Sequence, residues 1–207
     1  KLIPDLDLSD ESFPHMTFKN TKIDNIKCKI MRISFTGEHT YEINIQANYG
    51  EDLWRKCMDA GEEFNITPYG TETMHLLRAE KGFIIVGQDT DATMTPTDLQ
   101  MDWIVSKKKY DFIGKRALYR SDTIKQGRKQ LVGLLTKDPN QILEEGVQLV
   151  EKETSIPMKM VGHVTSSYYS PNLTRSFALA LVKGGIDKKG HKLFVPQLNK
   201  TIEVEVT

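Results

Sequence analysis

Six short apolar runs follow one another between Lys129 and Val206, and they limit the fold more than any other feature of the sequence. They are Lys129–Thr136, Val147–Val150, Met160–Thr165, Ser176–Val182, Lys192–Val195 and Thr201–Val206. Each is short, and Gly, Pro, Asn or Asp separates it from the next. Regular short strands with turn signals between them predict a small antiparallel barrel or sandwich. The composition changes at Arg128, so a domain boundary is expected near Gly127, dividing the chain into 1–127 and 128–207.

Upstream the pattern is mixed, which makes the whole chain α+β. Ile26–Ile33 and Tyr41–Ile45 alternate apolar and polar residues, the signature of half-buried strands. Thr36-Gly37-Glu38 between them reads as a tight turn, with Gly37 free to take positive φ. On the second strand Tyr41, Ile43 and Ile45 point one way, and Glu42, Asn44 and Gln46 the other. This places one carboxylate, Glu42, in mid-strand on the polar face, which by pattern alone is a solvated position. Leu6–Ile23 reads as a linking segment anchored by Phe13, Met16 and Phe18.

Gly50–Gly61 predicts an amphipathic helix with Leu53, Trp54, Cys57 and Met58 on one face, Glu51 and Asp52 in the first turn and Gly61 as the stop. A second helix is expected over Thr71–Lys81, with Thr71 as N-cap and Gly82 ending it. Phe83–Val86 is a continuous apolar run and predicts a buried strand. The polar loops after it, with Asp89, Asp91 and Asp98, lack the full calcium-loop spacing and read as solvated turn carboxylates. Lys107–Lys109 reads as a solvated loop, and Phe112–Gln126 as a helix ended by Gly127.

With 28 Lys plus Arg against 28 Asp plus Glu among 207 residues, the net charge is zero. Nucleic acid and anionic membrane, which need a basic excess, are thereby disfavoured as main partners. Cys28 and Cys57 have no disulfide or metal-ligand pattern and read as small core residues in a reducing compartment, so a cytoplasmic location is expected and no metal site. No run is long enough for a membrane helix and no signal peptide is evident. There is no G-x-G-x-x-G loop for a dinucleotide. The first residues, Lys1-Leu2-Ile3-Pro4, show no start signal, and the chain is expected to be a piece of something longer.

Ser34-Phe35-Thr36-Gly37-Glu38-His39-Thr40-Tyr41-Glu42-Ile43 resembles the R-x-G-Y-T-G-E-D-G-x-E-I signature of the glycine-cleavage T protein and its relatives, which bind tetrahydrofolate. The resemblance extends over nearly the whole chain. It includes Leu77-Arg78-Ala79-Glu80-Lys81-Gly82, Lys109-Tyr110-Asp111-Phe112-Ile113-Gly114-Lys115-Arg116, Gly162-His163-Val164-Thr165-Ser166-Ser167-Tyr168 and Arg175–Gly185. Within the superfamily it points to the branch formed by the alpha subunits of heterotetrameric sarcosine oxidases.

The resemblance implies a part of the T-protein folate-binding fold, with an antiparallel sheet and packed helices, followed by the small barrel. It implies that Glu42 bonds the pterin ring, with Tyr41, Phe35, Met74 and His75 in the same cofactor-binding region. Phe35 stands where the T protein has Tyr, and Met74-His75 where it has an Arg-Asp pair whose Arg contacts folate, which favours the oxidase branch. The family's essential Asp lies outside this chain, so no catalytic residue is assigned. The expected activity is capture of the imine from sarcosine demethylation as 5,10-methylenetetrahydrofolate. FAD, FMN and NAD are expected in the full complex but not on this chain, the other sarcosine oxidase subunits are its expected partners, and the chain alone is expected to be inactive. Aminomethyl transfer of the glycine-cleavage type and a non-catalytic assembly module are the alternatives. Arg78 and Glu80 read as an ion-pair network locking helix to sheet. His75 and His163 read either as hydrogen-bonded structural residues or as proton shuttles, and Tyr168 and Tyr169 as core or pocket lining.

Overall fold

Asp24 and Asn25 both take left-handed backbone, with φ of 47° and 68°. This two-residue turn suits the twist of an antiparallel pair, and Asp and Asn tolerate it better than other residues with a side chain. It joins β1 (Phe18–Ile23) to β2 (Ile26–Met31). β1 falls in the segment read as a link, because Lys19, Asn20 and Lys22 mask its alternation. β2 then pairs antiparallel with β3 (Glu42–Ile45), giving a three-stranded sheet of order β1-β2-β3. The structure, a computed structural model, describes residues 1–152 and 156–207. These form two compact units, Lys1–Lys81 and Gly82–Thr207.

In the first unit, Phe13, Ile23, Cys28 and Ile30 are buried, with Tyr41, Ile43, Ile45 and Leu53 packed against them. Burying a side chain such as Phe13 contributes about 2–3 kcal/mol. α1 (Gly50–Gly61) has the expected bounds, and Lys56 ties it to the β1–β2 turn through Asp24 at 2.7 Å. Two expectations for α1 need correction. Trp54 is exposed. Gly61 stays right-handed, and the left-handed residue that ends the turn is Asn65. Gly61 is needed for space, since a Cβ there would meet the Ile66 side chain at 2.7 Å. α2 (Thr71–Glu80) starts after Gly70, which is the N-cap in place of Thr71, and Gly82 follows with φ 72°.

The second unit opens with residues 82–128, where two further expectations fail. Phe83–Val86 is not a buried strand: Phe83 and Val86 are exposed, and only a single bridge joins Val86 to Thr90. Gly82 and Gly87 both take positive φ and break the run at each end. Phe112–Gln126 is not a helix. It contains one short 3₁₀ turn, Lys115–Tyr119, and Ile113 is fully exposed. Nor are the loop carboxylates all solvated, because Asp89 and Asp98 are buried.

The barrel follows as β4 (Lys129–Thr136), β5 (Gln148–Val150), β6 (Met160–Ser170), β7 (Arg175–Lys183), β8 (Lys192–Pro196) and β9 (Thr201–Val206). All pairs are antiparallel, and the barrel closes in the order β4-β7-β6-β5-β8-β9. Leu134, Leu149, Val164, Val182, Leu193 and Val204 fill its interior. Gly162 lets β6 lie against β7, where a Cβ would meet the Leu181 carbonyl oxygen at 2.4 Å.

Candidate functional site

The link between β2 and β3 is a ten-residue loop, 32–41, and not a three-residue turn. Its ends are pinned. Arg32 donates from Nη1 to the Phe13 carbonyl at 2.7 Å and pairs with Asp10 at 2.5 Å. Thr40 Oγ1 donates to the Ile33 carbonyl at 2.5 Å, and Lys81 pairs with Glu38 at 3.1 Å. Thr36 is buried, and Gly37 takes the positive φ expected of it, 80°. The Tyr41 hydroxyl donates to the Leu8 carbonyl at 3.2 Å and lies 2.8 Å from His39 Nε2, which then carries the proton between them.

Glu42 is the first residue of β3 rather than a mid-strand residue. It is exposed on the polar face as expected, and no ion pair engages it among the described residues. Tyr41 precedes it and faces the other way, into the core, with its ring 5.8 Å from that of Phe13. Phe35 is exposed on the loop, and Met74 and His75 are half-buried on α2. No hydrogen bond or ring contact joins Glu42 to Tyr41, Phe35, Met74 or His75 among the described residues.

The register assembles a face that the sequence reading did not collect. Directly opposite residues of an antiparallel pair share a face. Phe18, Met31 and Glu42 therefore form one row across the three strands, Asn20, Lys29 and Asn44 the next, and Lys22 with Lys27 a third. Lys29 Nζ lies 4.9 Å from the centre of the Phe18 ring. At one end of this face a free carboxylate stands beside a thioether and an aromatic ring. A carboxylate there can accept two parallel N–H bonds from a planar amidine-like edge, while the apolar neighbours carry the ring. The two-residue Asp24-Asn25 turn, a strong hairpin signal, would have revealed β1 and with it this face.

In the second unit the buried polar groups hold loops to strands. Asp89 accepts hydrogen bonds from Thr165 Oγ1 at 2.5 Å, Ser166 Oγ at 2.7 Å and the Ile85 amide at 2.9 Å. Asp98 accepts from Arg128 Nη2 at 2.6 Å and from the Thr95 amide and hydroxyl at 2.8 Å. Burial pushes the Asp98 carboxyl up, but the Arg128 guanidinium and the Thr95 donors outweigh it and hold the pKa below the ordinary 3.8. His163 Nδ1 lies 3.3 Å from Lys129 Nζ. An ammonium can only donate, so Nδ1 accepts and the ring proton sits on Nε2. Burial, then the Lys129 charge, lowers the His163 pKa from 6.5, against a small opposing pull from Asp91. Tyr168 packs at 6.2 Å from Phe177, and Tyr169 is partly exposed. No cluster of His, Cys, Asp or Glu suited to a metal occurs among the described residues. No helix among them is long and apolar enough to cross a membrane.

Residues 1–109 match the family model described as GCVT N-terminal domain, and residues 129–207 match the glycine cleavage T-protein C-terminal barrel domain. The chain belongs to the glycine cleavage T-protein family. Among curated relatives of this T-protein chain, the sarcosine oxidase subunit alpha of Corynebacterium sp. (strain P-1) is 50% identical over the whole chain, which spans 22% of that protein. The subunit alpha of Rhizobium meliloti (strain 1021) is 37% identical over 93% of the chain, which spans 20% of it. An aminomethyltransferase of Thermoanaerobacter sp. (strain X514) is 29% identical over 97% of the chain, which covers 52% of that enzyme. The fold is that of the glycine cleavage system aminomethyltransferase T from Bartonella henselae, with a TM-score of 0.75, 23% identity and coverage of 91% of this chain and 50% of that one.

Proposed function

We propose that this chain is the folate-binding end of a sarcosine oxidase alpha subunit, in which tetrahydrofolate captures the imine formed when sarcosine is oxidatively demethylated. The observation that carries the reading is Glu42, exposed at the start of β3, without an ion-pair partner among the described residues and level with Met31 and Phe18. Its carboxylate accepts the 2-amino and N3 protons of the pterin as two parallel bonds. Tetrahydrofolate supplies the two nitrogens that take up the methylene group, giving 5,10-methylenetetrahydrofolate and glycine. Phe35 and His75 border the ligand; Tyr41 acts from the core by fixing the loop ahead of Glu42. FAD, FMN and NAD act elsewhere in a cytoplasmic complex, with the other subunits as partners, so the isolated chain is silent towards sarcosine.

In this reading residues 1–127 belong to the folate-type domain and 128–207 form a cap that does not bind folate itself. Identity to aminomethyltransferases favours the second reading, aminomethyl transfer; against it, the family resemblance sets Met74 and His75 where that branch has an Arg-Asp pair. The test is Glu42→Gln in the complete complex. Tetrahydrofolate affinity should fall by about 1.5–3 kcal/mol, the worth of a hydrogen bond to a charged group. Sarcosine oxidation should continue with formaldehyde released instead. Unchanged folate affinity would remove Glu42 from the site.

A further inference from the structure

Residues 103–128, in the second unit, contain no buried residue. Trp103, Ile104, Tyr110, Ile113, Tyr119 and Ile124 are all exposed there, Tyr110 at 94% and Ile113 at 104%. Apolar residues exposed singly are ordinary, whereas six large ones within one short stretch mark a surface built for contact. The stretch is anchored at its base. Arg128 bonds Asp98, the Asp122 carbonyl at 2.7 Å and the Thr93 carbonyl at 2.5 Å, and the Leu131 amide on β4 donates to the Asp98 carbonyl at 2.8 Å. Gly114, with φ 92°, leads into the 3₁₀ turn Lys115–Tyr119, and Thr123 Oγ1 donates to the Ala117 and Arg120 carbonyls at 2.9 Å. A surface pinned in this way loses little conformational freedom when a partner binds it.

The same 26 residues hold eight Lys and Arg against two Asp, which leaves 20 basic and 26 acidic residues in the rest of a chain whose totals are 28 and 28. Arg120 pairs with Asp122 and Arg128 with Asp98. Lys107, Lys108, Lys109, Arg116 and Lys125 have no carboxylate within ion-pair distance among the described residues. Trp and Tyr anchors beside charged groups are the composition of a protein–protein interface. Nucleic acid also takes cations and aromatic rings, but it offers phosphates and flat bases. The branched aliphatic Ile104, Ile113 and Ile124 match neither and fit apolar pockets on a protein. A neutral chain exerts no net attraction on a second copy of itself, so the complementary acidic surface belongs to a different protein.

We infer that residues 103–125 form a docking surface for an acidic face of another subunit. Tyr110, Ile113 and Tyr119 are its apolar anchors, and Lys107–Lys109 steer the encounter. This rests on the reading above that the chain works in a multi-subunit complex, and adds the surface and the chemistry of the partner that covers it.

The experiment measures binding of the full-length alpha subunit to the other subunits of its complex, in three forms: unaltered, Lys107→Glu/Lys108→Glu/Lys109→Glu, and Tyr110→Ser/Ile113→Ser. The charge reversal should slow association about tenfold at low salt, with the difference fading near about 0.5 M salt. The apolar double variant should speed dissociation at least about tenfold at every salt concentration. Both should keep the unaltered melting temperature, because none of these side chains is buried. A photoactivatable benzophenone side chain placed at Ile113 should cross-link to an acidic stretch of another subunit. Unchanged binding by both variants overturns the inference, as does cross-linking to nucleic acid, to a second alpha subunit or within the alpha subunit itself, and the reading above then stands. Failure of the unaltered alpha subunit to bind any other subunit overturns the multi-subunit reading and the inference with it.

Discussion

The barrel and the three-stranded sheet are both antiparallel, yet they use their side chains in opposite ways. In the barrel every strand is paired along both edges, and Leu134, Leu149, Val164 and Val195 are almost completely buried. In the sheet β1 and β3 are edges, one face packs on Phe13 and Leu53, and the other carries Phe18, Lys22, Lys27, Lys29 and Glu42 in the open. Closure removes edges and turns alternate residues into core; an open sheet keeps a face whose polar groups are not consumed by packing. Closed packing is therefore concentrated in the barrel, and open polar surface on the sheet.

The largest effect should come from breaking the barrel side of this contrast. Leu134→Ala removes a fully buried side chain and should lower stability by about 4 kcal/mol, read from urea unfolding. A loss below about 1 kcal/mol would show that the barrel interior can collapse around the gap. Next, Arg128→Ala strips the cation from buried Asp98 and should cost about 3 kcal/mol. It should also make residues 91–128 susceptible to limited proteolysis, because Arg128 bonds the Thr93 and Asp122 carbonyls as well. Unchanged protection would mean that other contacts hold this segment.

Acid should weaken the barrel unit in two stages. His163 has a folded pKa below its ordinary 6.5, so its contribution is complete above that value and is lost as pH falls through the lowered one. Asp98 is held below 3.8, so its contribution persists further and disappears only below that value. Melting temperatures measured from neutral pH downward should decline in both windows, and His163→Gln should abolish the upper one. The smallest effect belongs to the sheet. Lys27→Gln relieves the like-charge pair with Lys22 and should raise stability by a few tenths of a kcal/mol. A loss of stability would show that Lys27 has a structural role in the sheet.

The contrast also marks where the sequence was legible. Thr201–Val206 and Lys129–Thr136 appear in the structure with the bounds expected of them, and Gly50–Gly61 is a helix over the residues its apolar spacing marks. Met160–Ser170 runs beyond the predicted strand, because the irregular register between Val164 and Ser166 disturbs the period that alternation depends on. In residues 82–128 the sequence marked the polar loops at 87–98 and the exposed Lys107–Lys109, but not the rest. Phe83–Val86 and Phe112–Gln126 have the composition of a strand and a helix, but glycines with positive φ and side-chain bonds to Asp89 and Asp98 hold much of the segment as loop.

Local periods alone mark six barrel strands, two helices and the two strands on either side of the 32–41 loop. The sequence also determined that Glu42 lies on the polar face, since side chains alternate along any strand. Tertiary structure decided what depends on register. Register set Phe18 and Met31 level with Glu42 and put Lys22 against Lys27. Tyr41, expected in the cofactor-binding region, packs on the Phe13 cluster and bonds the Leu8 carbonyl. Asp89 and Asp98 passed from water into hydrogen-bonded burial. The physical reason is the same in each case. A period of two or 3.6 is a property of neighbours in the chain, whereas a hydrogen-bond partner or a facing residue is chosen by chain closure over tens of residues, which no local pattern records.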